Sequence, residues 1–203
     1  MLFHKHKIWF IGIPKTGSTS IWHTLHGLTL KPKQEERHNH HSYKETITSE
    51  DPDLTSSYFN VTVIRNPYDR WVSSANEHIR ADSDDDETDV NELLAKYAHF
   101  DSERLHEVNE AFTPQYKYIV DDYDKVAVPN IWRYENLNEE YEKFAFIYNI
   151  HSPHKIPTRL EKINVSTNRK PWKKELNSES IKTINKLYSE DFELLGYDKI
   201  TTN

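Results

Sequence analysis

Between Trp9 and Trp22 the sequence reads WFIGIPKTGSTSIW. A short apolar run is closed by Gly12, Pro14 and Gly17. Ile21, Leu25 and Leu28 then follow at the spacing of one helical face. Strand, tight turn and helix in such quick succession oblige the helix to open at the carboxyl end of a strand. The N–H groups of Thr16–Thr19 then fall at a helix start, where no earlier carbonyl of the helix accepts from them. Such groups, at the positive end of the helix dipole, are a binding site for an anion. The chain holds only four glycines, Gly12, Gly17, Gly27 and Gly196, and two of them lie in this turn. Backbone must bend sharply or approach a ligand there.

The general phosphate-binding loop is G-x-x-x-x-G-K-[ST], with the lysine on the phosphates and the hydroxyl on magnesium. Gly12 and Gly17 keep that glycine spacing, but Ser18 stands where the lysine belongs, and Lys15 lies inside the loop. No apolar strand ends in an aspartate placed to hold magnesium. The sequence therefore predicts a nucleotide phosphate held without a metal by backbone N–H groups and the hydroxyls of Thr16, Ser18, Thr19 and Ser20.

A second strand is expected at Tyr58–Ile64. It runs into Arg65, with Pro67 suited to the first turn of a helix and Ser73 eight residues beyond Arg65. A guanidinium at a strand end grips phosphate bidentately, and a serine two turns into the helix adds a hydroxyl. Arg70, closer to Ser73, is expected to pair with a carboxylate of its own. Two metal-free phosphate grips fit a nucleotide phosphorylated at both ends of its ribose.

The remaining pattern alternates. A helix is expected from Val90 to about Val108, and a helix or extended piece over Thr113–Val120. Strand pieces follow around Lys125–Val128 and Ile131–Tyr134. An amphipathic helix is expected over NEEYEKFAFIYNI, a basic loop over Ile163–Trp172, and a closing helix in SESIKTINKLYSEDFELLGYD. The fold class expected is α/β, a parallel-sheet P-loop-like sandwich with flanking helices, forming one domain over residues 1–203. The net charge of −7 argues against a nucleic-acid partner, and the absence of cysteine excludes disulfides, thiolate metal sites and cysteine nucleophiles. No apolar run suffices for a membrane span or a signal segment, so a cytoplasmic protein is expected.

The motifs resemble those of the sulfotransferases that use 3′-phosphoadenosine 5′-phosphosulfate (PAPS). PKTGSTS resembles their 5′-phosphosulfate loop, VIRNPYDRWVSS their 3′-phosphate motif in the carbohydrate-type branch, and YSEDFELLGYD their C-terminal signature. The resemblance implies the sulfotransferase fold, PAPS as co-substrate, adenosine 3′,5′-bisphosphate (PAP) as product, and no metal. Pro14, Lys15, Thr16, Gly17, Ser18, Thr19 and Ser20 would bind the 5′ end, with Lys15 also catalytic at the bridging oxygen. Arg65 and Ser73 would hold the 3′-phosphate. Asn164, Ser166, Arg169 and Lys170, in INVSTNRKPW, resemble the late loop over the nucleotide, and RYENL, with Tyr134 and Glu135, a segment near the adenine. The aryl branch has a tryptophan directly after its loop. Ser20 stands there in this chain, and Trp22 faces another side of the helix.

The acceptor expected is a hydroxyl on a carbohydrate or glycolipid. The stretch HSYKE from His41 resembles a family segment and makes His41 the expected general base, with His40 the runner-up and His38 in the same loop. Three histidines so close, without a partnering ligand pattern, make a poor zinc site. The acidic run Asp82–Asp89 reads as solvated loop. A P-loop kinase or NTPase and a catalytically inactive nucleotide-binding module are the rival readings. The oligomeric state is not legible.

Overall fold

A computed structural model describes residues 1–26, 40–49, 57–81, 88–161, 163 and 170–202. Contacts gather the chain into two compact units, Met1–Ile64 with Tyr118–Ser166, and Arg65–Lys117 with Thr167–Asn203.

The first unit is built on a four-stranded sheet in the order β1 (Leu2–Phe3), β2 (Ile8–Ile11), β3 (Phe59–Ile64), β4 (Asn130–Arg133). β2, β3 and β4 are parallel, as expected of strands alternating with helices, with Phe10 beside Val61 and Thr62 beside Ile131. β1 runs antiparallel to β2. Two residues carry no periodicity, so this edge strand escapes sequence reading. On one sheet face Ile8, Phe10, Val61, Val63 and Trp132 pack against α1 (Ser18–His26) and α6 (Leu137–His151) in one core. On the other face Trp9 is stacked by Tyr43 of α2 (Tyr43–Ser49), with ring centroids 5.2 Å apart. Of the expected strand pieces, Ile131–Tyr134 corresponds to β4. Lys125–Val128 contributes only an isolated bridge from Val126 to Val120.

The second unit is helical: α3 (Pro67–Ala81), α4 (Val90–Tyr97), α5 (Ser102–Val108), α7 (Trp172–Glu175), α8 (Ser178–Leu187) and α9 (Ser189–Leu195). Tyr68, Trp71, Leu94, Phe112, Ile184 and Phe192 make its core. The single helix expected over Val90–Val108 is two. The Asp101 carboxylate accepts the Arg104 N–H and starts α5 afresh. Asp89, the end of the acidic run, likewise caps α4 in a reciprocal box with Glu92, while residues 82–87 lie outside the described set. The closing helix also breaks in two, at Tyr188.

Candidate nucleotide-binding and catalytic site

The turn from β2 to α1 is shaped by two residues of positive φ, Lys15 at 67° and Gly17 at 89°. Gly17 adopts that conformation freely, whereas a left-handed lysine is disfavoured by about 1 kcal/mol. Alternating the sign of φ turns successive N–H groups to one side, the geometry of an anion nest. The Thr16 hydroxyl braces the turn by donating to the Ile13 carbonyl at 2.9 Å. The N–H groups of Ser20 and Ile21 donate to the Gly17 carbonyl. Among the described residues, those of Gly17, Ser18 and Thr19 meet no acceptor. Pro14, Thr16 and Ser18 are buried, while Lys15, Thr19 and Ser20 are half-buried. Trp22 lies in the sheet-facing core.

Packing fixes Gly17 as firmly as its dihedral does. A methyl group at this position would stand 2.9 Å from Leu137 Cδ2 and 3.3 Å from the Tyr134 ring. The segment that sequence resemblance assigns near the adenine therefore lies against the loop itself. Tyr134 keeps 36% of its surface exposed there.

His40 touches the turn, its Nδ1 3.0 Å from the Gly12 carbonyl. A carbonyl only accepts, so Nδ1 carries the proton and the lone pair of a neutral ring resides on Nε2. His41 is exposed. Within HSYKE the serine and the glutamate serve the backbone. The Ser42 N–H donates to Glu45 Oε2 at 2.7 Å, and the Glu45 N–H to Ser42 Oγ at 3.2 Å. This is a capping box that starts α2, and the S-x-x-E spacing is its sequence signal. His38 lies outside the described residues, as do Asn164, Ser166 and Arg169; Lys170 is exposed in an irregular segment.

The second expected phosphate grip is built differently. The Asn66 side chain accepts from the Tyr68 N–H at 3.1 Å and caps α3, with Pro67 in the first helical position. Arg65 is 4% exposed at its side chain, and its Nε and Nη2 both meet Asp69 Oδ2 at 2.8 Å. Gln115 clamps the Arg65 backbone, accepting from its N–H and donating to its carbonyl, both at 2.8 Å. Asp191 in turn accepts from the N–H groups of Gln115 and Tyr116. Burial raises the Asp191 carboxyl above its ordinary value, opposed by the charge of Arg70 and by these bonds. Ser73 is half-buried on α3. Asp69, Gln115 and Asp191 are absent from the residues that sequence reasoning singles out. Only Asp69 carries a signal, its helical spacing of four from Arg65.

The family model described as "Sulfotransferase family" matches residues 1–198. The chain belongs to this family. No match was found among curated proteins or solved structures. This sulfotransferase is accordingly a transferase of sulfuryl groups, and its mixed α/β architecture with a mostly parallel sheet is that of the family. Among the described residues no helix is long and apolar enough to cross a membrane, and no group of three or more acidic or histidine side chains is placed to hold a metal ion.

Proposed function

We propose that this sulfotransferase moves a sulfuryl group from PAPS to an acceptor hydroxyl on a carbohydrate or glycoconjugate, in line and without a metal, within one catalytic domain over residues 1–203. The observation that carries the reading is the β2–α1 turn, with Lys15 inside the loop and the N–H groups of Gly17, Ser18 and Thr19 meeting no acceptor among the described residues. In this reading the nest, from Pro14 to Ser20, holds the 5′-phosphosulfate, and Arg65 and Ser73 hold the 3′-phosphate. Asn164, Ser166, Arg169 and Lys170 belong to the loop that closes over the nucleotide.

The acceptor oxygen forms a bond to sulfur as the bond from sulfur to the bridging phosphate oxygen breaks. Negative charge grows on that bridging oxygen, and Lys15 neutralises it. The acceptor's proton passes to a histidine. We favour His40 over His41, because His40 touches the turn through its Nδ1 contact to the Gly12 carbonyl, which holds its ring beside the loop. PAP leaves as product.

A mass-spectrometric screen of oligosaccharide and glycolipid acceptors with PAPS tests the reading. The expected result is an acceptor heavier by one sulfuryl group, formed equally well in the presence of a metal chelator. Magnesium-dependent hydrolysis of ATP without any sulfated product would overturn it.

A further inference from the structure

Trp9 lies inside the sheet, opposite Leu2 of β1 on one side and Asn60 of β3 on the other. It is fully buried, and its indole N–H meets no hydrogen-bond acceptor among the described residues. A buried N–H without an acceptor carries a cost that phenylalanine would avoid. What the indole supplies beyond phenylalanine is a broader ring, and Tyr43 stacks on that ring with the two planes 20° apart.

α2 begins at Tyr43 and has seven residues, too few to hold its place by helical propensity alone. Its orientation is set by what it touches. The Ser42–Glu45 capping box and the Thr46 hydroxyl, which donates to the Ser42 carbonyl at 3.0 Å, fix the first turn internally. Lys44 stands 4.0 Å from Asp122 and 3.8 Å from Asp124, but both carboxylates are exposed and the pairs are screened by solvent. The stack on Trp9, by contrast, is rooted in the sheet. Tyr43 comes three residues after His40, and Trp9 three residues before Gly12. Segment 40–43 therefore runs head to tail along segment 9–12, with Tyr43 at Trp9 and His40 at Gly12. Burial and the charge of Asp121 push the Tyr43 hydroxyl above its ordinary value, so the side chain acts as a neutral ring rather than a proton carrier.

We propose that Tyr43 is a positioning residue, whose stack on Trp9 holds the His40 imidazole against the Gly12 carbonyl beside the loop. The contact at Gly12 alone would let the ring swing about it. A second contact three residues along the chain fixes the direction from which the ring approaches. The stretch HSYKE then contributes its tyrosine as support for the histidine just before it. A displacement of about 1 Å in a reacting group costs on the order of 10²-fold in rate, so such support matters to turnover. That consequence rests on the proposed role of His40 as the base, whereas the positioning itself does not.

NMR of the full chain with isotope-labelled histidine tests the positioning, the His40→Ala spectrum identifying the His40 signal. In the wild type that ring should show one tautomer, protonated at Nδ1. In Tyr43→Leu, which keeps bulk but removes the ring face, it should exchange between both, while the thermal midpoint stays close to that of the wild type because Tyr43 is only half-buried. Turnover with PAPS and an oligosaccharide acceptor from the screen should fall about tenfold or more in Tyr43→Leu, with the KM for PAPS nearly unchanged. Tyr43→Phe, which keeps the ring and drops the hydroxyl, should match the wild type in both measurements. An unchanged His40 signal in Tyr43→Leu would overturn the proposal. So would a Tyr43→Phe variant as impaired as Tyr43→Leu, which would assign the effect to the hydroxyl. A released His40 ring in Tyr43→Leu beside a fully active His40→Ala would uphold the positioning and overturn the base assignment instead.

Discussion

At the end of β2, the N–H groups of Gly17, Ser18 and Thr19 face no acceptor among the described residues, and Lys15 is half-buried beside them. At the end of β3, Arg65 is buried, and its guanidinium already lies against Asp69. Both regions join a strand to a helix, and both carry motifs assigned to phosphate. The first region has a preformed set of donors that a bound anion would satisfy at no cost to existing contacts. The second has a cation whose partner competes with any phosphate that arrives. Sequence motifs treat the two as equivalent grips. The structure makes one open and the other self-satisfied, so the loop should dominate affinity and rate, and Arg65 should act mainly as a discriminator.

The largest effect expected lies on the open side. His40→Ala should lower turnover by roughly 10²–10⁴-fold and leave PAP affinity nearly unchanged, because the imidazole serves the acceptor. His41→Ala should stay close to the wild-type rate, its side chain being exposed. Rates measured side by side in the two variants decide this; the reverse pattern would restore His41 as the base and detach the Gly12 contact from catalysis.

Lys15→Ala should reduce turnover by about 10²–10³-fold, the range for removing one preorganised group that stabilises developing charge. Its effect on calorimetric PAP binding should be much smaller, because the bridging oxygen gains charge only as the bond breaks. Equal losses in both measurements would make Lys15 a plain binding residue.

Gly17→Ala tests whether the nest itself is what matters. The new methyl meets Leu137 at 2.9 Å in a backbone conformation that alanine disfavours, so either the loop or the start of α6 must shift. A stability loss of about 1–3 kcal/mol is expected in denaturant titration, with PAP affinity falling about tenfold or more. Unchanged affinity would show that the loop's donors are not the anion site.

The smallest effect on binding belongs to the self-satisfied side. Asp69→Asn keeps a hydrogen-bonding side chain but removes the competing charge, so PAP should bind a few-fold more tightly while AMP is unaffected. The stability cost should be about 3 kcal/mol or more, since Arg65 is 4% and Asp69 24% exposed and the variant leaves a largely buried guanidinium without its charge partner. Weaker PAP binding in this variant would mean that Asp69 orients Arg65 for phosphate rather than competing with it.

The legible parts of this molecule are those in which one local signal has one physical meaning. The apolar strand before Gly12, Pro67 at the first position of α3, and the parallel pairing of β2, β3 and β4 all follow from runs, breakers and alternation. Other features depend on choices that local pattern leaves open. Asp101 interrupts an otherwise continuous helical pattern because a capping carboxylate outweighs the propensity of the residues around it. The serine and glutamate of HSYKE, matched as a motif, serve the start of α2. The histidine that touches the loop is the one before the matched stretch, because the contact with Gly12 is set across 28 residues of chain. The clamp of Gln115 on Arg65 spans 50 residues and leaves no trace in spacing.

Calorimetric titration with PAP and with AMP, each in the presence of a metal chelator, tests the central claim most directly. The account predicts that PAP binds without any metal and more tightly than AMP, the preference shrinking when Arg65 is replaced by alanine and the Lys15 loop is left intact. Equal affinity for the two nucleotides, or binding that requires magnesium, would contradict it.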